Sequence, residues 1–228
     1  MRAHEFIKEN EIVTETPLPD GSDGKEAWDK SVFTPQTSYK KRIEYAVARA
    51  QKIGKGSSRS AFEIEYQGRP TILKVAHNKK GAAQNQAEAA ILDDGYIKQI
   101  GIAIPLIDYD EDHDGPTWIH TEKALKATPK TLCNLMKTPS LDTLVDHATY
   151  SLMGDFKTTN RIKDFISQKF SEADVETFFE YSDMLMELSN SFDINISDFR
   201  RAANWGIYNG QPIIIDLGFT EEVKKKHY

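Results

Sequence analysis

Cysteine is nearly missing from this sequence: Cys133 is the only one in 228 residues. It forms no internal disulfide and seeds no multi-cysteine zinc site. A single thiol fits a reducing compartment, so a cytoplasmic location is expected. A catalytic thiol needs a base partner and an electropositive setting. Cys133 instead stands in Thr131-Leu132-Cys133-Asn134-Leu135-Met136, which reads as an apolar helix face. Long apolar runs are missing too. A membrane-spanning helix needs about 20 mostly apolar residues, and the longest runs, such as Pro212-Ile213-Ile214-Ile215, are strand-sized. No membrane association is expected. The first ten residues are amphipathic and lack the apolar centre of a secretory signal. Basic charge is in short supply: 29 Lys and Arg face 35 Asp and Glu, a formal net charge of −6. Broad duplex-DNA binding depends on neutralising phosphates, and that balance argues against it while still allowing a local basic groove. The basic run Lys224-Lys225-Lys226 is too short to change it. Internal repeats and low-complexity tracts are also lacking.

What is present favours a folded chain. Eleven Phe, nine Tyr and three Trp supply a core, which argues against wholesale disorder. The length suits one large domain or two lobes, since domains run about 100–200 residues. Residues 11–37 are polar and rich in Gly, Pro, Asp and Thr, with only Trp28 and Phe33 as large apolar groups, and read as an extended arm. Ile43, Ala46, Val47 and Ala50 at helical spacing predict a helix over residues 38–51.

Short strands follow. Ala61-Phe62-Glu63-Ile64-Glu65-Tyr66 alternates with period two, and Gln67-Gly68-Arg69 is a turn signal. Residues 70–76 give the second strand of a hairpin. Residues 82–91 have high helix propensity. Residues 104–108 and 117–121 predict another hairpin around Asp110–Gly115. From Ala124 the chain is mainly helical. Residues 174–191 carry one apolar stripe, and Ser171 with Asp174 matches a capping box. Residues 204–208 and 212–216 flank Asn209-Gly210, a strong hairpin signal. The whole is α+β: an N-terminal extension over 1–51, a β-rich unit over 52–122 and a helical unit over 123–228.

Three places could carry chemistry. The stretch Gly54-Lys55-Gly56-Ser57-Ser58-Arg59 lies between two predicted strands. Small residues there bring backbone amides close to a phosphate, or simply make a flexible turn. It is neither a Walker P-loop nor a Rossmann turn, because a strand follows it. Lys74 sits mid-strand among apolar residues. An inward lysine needs an anionic partner, and Glu88 is the only acid in residues 82–91; alternatively Lys74 reaches solvent from an edge strand. Finally, Asp216 ends a three-isoleucine strand, Asn204 lies on the paired strand and Asp198 precedes both. Such oxygens suit Mg²⁺, or are solvated turn residues.

Taken together in this order, the pieces resemble the protein-kinase-like fold. Gly54-x-Gly56 resembles its glycine-rich loop. Lys74 stands in the VAIK-like TILKVA. Glu88 lies on the following helix, and Trp118-Ile119-His120-Thr121-Glu122 resembles the strand leading into the hinge. Asp198 and Asn204 resemble a catalytic loop, and Asp216-Leu217-Gly218 the metal-binding DFG motif. The texture is similar to small kinase-like proteins of tailed bacteriophages, for which the compartment would be the host cytoplasm. The resemblance implies a bilobal molecule with a β-rich N-lobe and a truncated helical C-lobe. Gly54, Gly56, Ser57, Ser58 and Arg59 would cover ATP phosphates. Lys74, paired with Glu88, would contact them, and the backbone at Glu122 and Lys123 would meet the adenine. Asn204 and Asp216 would hold Mg²⁺, and Asp198 would position the acceptor hydroxyl.

Departures from the pattern carry information. Arg59 replaces the third loop glycine, where it either contacts phosphates or obstructs them. Ile196 and Ser197 replace the HRD histidine and arginine, and the spacing from Asp198 to Asn204 is six rather than five. Arg200 or Arg201 stands in for a phosphate-contacting lysine. Only ten residues follow Gly218, which leaves no room for an activation segment or a peptide-docking platform. The resulting expectation is a minimal ATP- and Mg-dependent phosphotransferase acting on a small molecule or one docked protein. The alternative is a pseudokinase-type nucleotide-binding or interaction module without turnover. Nucleotidyl transfer by the same fold is a third option.

Overall fold

The computed structural model describes Asp29, residues 37–110 and residues 115–227. Trp28, Phe33, most of the polar arm and the tip of the 110–115 turn lie outside the described residues. The first helix, α1 (Tyr39–Arg49), starts where Ser38 accepts a hydrogen bond from the Lys41 amide, an N-cap. It ends two residues earlier than its periodicity suggests, because Gln51 already pairs in a strand.

Five antiparallel strands follow: β1 (Gln51–Lys55), β2 (Arg59–Tyr66), β3 (Arg69–Ala76), β4 (Leu106–Tyr109) and β5 (Trp118–Glu122). Their spatial order is β1-β2-β3-β5-β4. The β2–β3 turn uses Gln67 and Gly68 at φ 51° and 72°, the left-handed pair that suits the twist of a tight hairpin. Phe62, Ile64, Leu73 and Val75 point to one face, where Ala46 of α1, Ala50 just after it and Trp118 of β5 close a small core. Lys74, in odd register with Leu73 and Val75, faces the other side.

Between β3 and β4 run α2 (Lys79–Asp93) and α3 (Gly95–Ile100). Asn78 caps α2 through the Gly81 amide at 3.0 Å. Gly81 is required at this place: a Cβ would fall 2.1 Å from the Ser58 carbonyl oxygen. The helix therefore begins in direct backbone contact with the turn after β1. Asp94 caps α3, a helix the propensity of residues 82–91 did not announce.

The second half holds β6 (Leu125–Lys126), α4 (Pro129–Leu135), α5 (Leu141–Leu152), α6 (Phe156–Lys169) and α7 (Glu172–Phe192). Two 3₁₀ turns (Ile196–Arg200 and Ala202–Asn204) lead into β7 (Trp205–Tyr208) and β8 (Gln211–Ile214), and α8 (Glu221–His227) follows. Ser171 caps α7 at the predicted position, accepting from the Asp174 amide. Strands β6, β7 and β8 make a second sheet. β6, two residues long, was not apparent from the sequence. The main core joins α3–α7 to this sheet through Leu144, Phe178, Leu185, Phe199, Trp205 and Ile214. Residues 102–104 pair with β8 in parallel, with Ile214 exchanging backbone hydrogen bonds with Ile102 and Ile104 at 2.7 and 3.0 Å. The segment leading into β4 is thus tied by backbone to the second sheet. The chain is α+β, and among the described residues no helix is long and apolar enough to cross a membrane. Cys133 lies on α4 and packs against the main core, and burial pushes its thiol pKa up. That setting opposes thiolate chemistry.

One buried histidine gives the fold a pH dependence. His147 on α5 hydrogen-bonds Ser182 of α7 at 2.7 Å, and meets Phe178 edge-on and Phe179 at a tilt. Burial, with Lys163 nearby, holds its pKa below the ordinary value of 6.5. The unfolded chain therefore binds this proton first. Stability from the site is complete above about pH 6.5 and declines as the pH falls below it. Melting temperatures from pH 8 to 5 should show that decline, and His147→Gln should flatten it. An equally steep decline in the variant would assign the effect elsewhere, His77 being the next histidine lowered by burial.

Candidate functional site

The site begins on α2, where Gly81, Gln84, Asn85 and Glu88 share one helix face by their spacing of three and four. All four are buried. An apolar helix would turn such a stripe into core; here it is polar, so each member needs a partner. Ser58 donates to Gln84 Oε1. Asn85 donates to the Pro116 carbonyl and accepts from Arg59 at 3.1 Å. Glu88, fully buried, accepts from two cations: Lys74 on one carboxylate oxygen and Arg59, at 2.5 Å, on the other.

Arg59 is the residue whose behaviour the sequence left open. It opens β2, and its side chain turns inward rather than toward solvent. Besides Glu88 and Asn85, it donates to Asp216 Oδ1 at 2.7 Å. Gly218 makes this possible, since a Cβ there would lie 2.8 Å from the guanidinium and 2.8 Å from the Gln84 carbonyl. Lys74 adds a bond to the Ile215 carbonyl at 2.6 Å. Two cations and two carboxylates from β2, β3, α2 and the segment after β8 therefore form one cluster. Loss of water around Asp216 would lift its carboxyl, but Arg59, Lys74 and the Gly218 amide hold it below the usual carboxylate range. Burial would likewise lower the Arg59 pKa, and Glu88 and Asp216 more than reverse that, so Arg59 stays charged.

This cluster forms the floor of a cavity of about 770 Å³. The turn over Gly54–Ser57 forms one rim, and Gly56 donates to the Arg59 carbonyl at 2.8 Å to close it. Asp198, Arg201 and Asn204 form the opposite wall. Asn204 donates from its side-chain amide to the Asp198 carbonyl at 2.9 Å, which ties the two 3₁₀ turns together. The Ile215 amide donates to the Asn204 carbonyl at 2.9 Å, so Asn204 sits one residue across from Asp216. Burial raises the Asp198 carboxyl, with Asp216 adding to the effect and Arg201 opposing it.

The structure thus brings together Gly54, Gly56, Ser57, Ser58, Arg59, Lys74, Asp198, Asn204 and Asp216 around one cavity, with Glu88 directly beneath. It does not bring Glu122 there. That side chain pairs with Arg69 at 2.5 Å, and its amide donates to the Pro105 carbonyl at 3.0 Å. Ser58 is on the cavity wall, yet its hydroxyl is engaged by Gln84. The two candidate arginines separate as well. Arg200 turns away to Asp142 (3.1 Å) and Asp146 (2.6 Å) of α5, whereas Arg201 lines the cavity. Sequence reasoning missed Gln84 and Asn85. Their i, i+3, i+4, i+7 spacing with Gly81 and Glu88 is the signal that could have found them.

Among the described residues, no group of three or more His, Cys, Asp and Glu gathers as a metal cage. Asp216 and Asn204 are nevertheless oxygen donors of the kind magnesium takes. Asp216 is half exposed at the cavity, and Asn204, with its amide nitrogen engaged, keeps Oδ1 as an oxygen ligand. One or two such oxygens plus substrate phosphates are what Mg²⁺ commonly uses.

No protein-family model matches the sequence, and the curated proteins contain no match to it.

Proposed function

We propose that this chain is a nucleotide-dependent phosphotransferase of the protein-kinase-like, two-lobed kind, acting on a small molecule or a docked protein. One observation carries the reading: Lys74, paired with a buried Glu88, faces the same cavity as Asp198, Asn204 and Asp216, beneath a glycine-containing turn. The element order supports it. A five-stranded antiparallel sheet with a helix after its third strand precedes a helical half, in which a small hairpin follows the turns bearing Asp198 and Asn204.

On this reading Lys74 meets the nucleotide phosphates, its ammonium fixed by Glu88 and the Ile215 carbonyl. Backbone amides of residues 54–58 approach the same phosphates. Asp198 accepts a hydrogen bond from the acceptor hydroxyl, and its raised pKa makes it a better proton acceptor than an ordinary carboxylate. Asn204 and Asp216 hold magnesium. When bound, that ion offsets charge on the transferring phosphoryl group. The residues contribute positioning and electrostatics, the main needs of phosphoryl transfer.

A second reading, a pseudokinase-type module that binds nucleotide without turnover, is favoured by one specific feature. Arg59 already occupies Asp216 Oδ1.

Thermal stabilisation by ATP with Mg²⁺, followed by incubation with γ-labelled ATP and candidate acceptors, separates the two. Stabilisation and label transfer in the wild type are expected, with label transfer disappearing in Asp216→Ala. Absence of stabilisation in the wild type defeats the nucleotide-binding reading. Stabilisation without label transfer or ATP loss favours the second. Incorporation from α-labelled ATP would redirect the proposal to nucleotidyl transfer.

A further inference from the structure

We infer that Arg59 is a resident cation of the cleft, and that a nucleoside polyphosphate binds there with nearly the same affinity whether or not a divalent ion is present. The inference rests on the nucleotide-binding reading above, and concerns affinity rather than turnover.

An aspartate facing a polyphosphate is a problem of like charges, which a divalent ion ordinarily resolves by sitting between them. Here the charge of Asp216 is already matched by a guanidinium at 2.7 Å. The matching group is built in. Arg59 is buried, held at 2.5 Å from Glu88 and 3.1 Å from Asn85, and accommodated by the missing side chain of Gly218. Removing it would strand one oxygen of Glu88, a carboxylate with 0% exposure. Lys74 would still pair with the other oxygen, but a buried carboxylate oxygen left without its donor is unfavourable. Displacement of Arg59 from Asp216 is therefore opposed by its bond to Glu88.

The wider cavity carries the same sign. Lys55, Arg59, Lys74 and Arg201 line it, against the carboxylates of Asp198 and Asp216. A cationic cavity in a chain of net charge −6 selects polyanions by local field rather than by overall charge. A guanidinium has five N–H donors. The three hydrogen bonds to Glu88, Asn85 and Asp216 leave donors for a phosphate oxygen at the cavity wall.

The test uses the full chain and ATP in isothermal titration calorimetry, once with excess EDTA and once with millimolar Mg²⁺. The dissociation constants should differ by less than about fivefold. A larger loss of affinity in EDTA overturns the inference, while no binding in either buffer overturns the nucleotide reading itself. Arg59→Gln keeps hydrogen-bonding groups and removes the charge. In that variant the gap between the two buffers should widen to about tenfold or more. A folded variant that retains metal-independent binding would remove Arg59 from the role. If the variant fails to fold, the wild-type pair of titrations still decides.

Discussion

Replacing Glu88 with alanine is expected to lower the melting temperature by roughly 6–20 °C, from a loss of about 3–5 kcal/mol at about 2–4 °C per kcal/mol for a chain of this size. The carboxylate is fully buried and is the shared anion of Lys74 and Arg59. Its removal leaves Lys74 facing only the Ile215 carbonyl, and Arg59 with Asp216 and Asn85. Both cations then sit in a low-dielectric setting with too little negative charge. Differential scanning fluorimetry on wild type and Glu88→Ala reads the shift. A change under about 2 °C, at most about 1 kcal/mol, would mean that water reaches the cluster and that it is not one electrostatic unit. A double-mutant cycle with Arg59→Leu sharpens the test. If the two residues are coupled, the pair of changes should destabilise by clearly less than the sum of the single ones.

Trp205→Ala should be comparably damaging, at about 3–5 kcal/mol, because the indole is 1% exposed in the main core. A denaturation midpoint measured in urea provides the check. Its consequences reach the cleft, since Trp205 Nε1 donates to the Phe199 carbonyl at 2.9 Å and the ring meets Phe199 edge-on at 5.9 Å. The indole thereby fixes the turn that presents Asp198. Trp205→Phe isolates this second role. It preserves most of the apolar volume but leaves a buried carbonyl without its donor, at a cost of about 1–3 kcal/mol. Stability equal to wild type in Trp205→Phe would show that the hydrogen bond is dispensable and that only ring volume matters.

Much of the architecture was legible from local patterns, and the reasons are physical. Period-two alternation in residues 61–66, the Gln67-Gly68 turn and the Asn209-Gly210 turn each report a short-range steric preference. Such preferences survive in the folded chain because neighbouring residues satisfy them. The α7 cap at Ser171 is of the same kind. Elements missed were those whose stability is not local. The strand β6 is two residues long and exists through pairing with Leu125↔Ile207 and Lys126↔Gly206. Helix α3 follows Asp94 after a single break and has six residues.

At the cleft, the sequence put forward Lys74, Glu88, Asp198, Asn204 and Asp216 by type and order, and the structure gathers them. The direction of Arg59 was not legible. A residue in a turn between strands reads as exposed, and nothing in the adjacent residues says that an acid at position 216 will accept its charge. The inward turn needs Gly218, distant in sequence, where a Cβ would meet the guanidinium, while Gly81 lets the neighbouring Ser58 backbone pack on α2. Glu122 shows the converse: its side chain pairs with Arg69 on the neighbouring strand rather than turning to the cavity.

The bond from Arg59 to Asp216 spans 157 positions along the chain. Closing so long a loop carries a large entropic penalty before any contact rewards it. It also raises the contact order that slows folding. During synthesis, β2, β3 and α2 emerge long before residues 211–218. The first sheet can pair early, but the anion that completes its buried charge cluster arrives late. Assembly of the cleft is thus tied to the final docking of β8, and a nascent chain stalled before residue 216 holds an unfinished site.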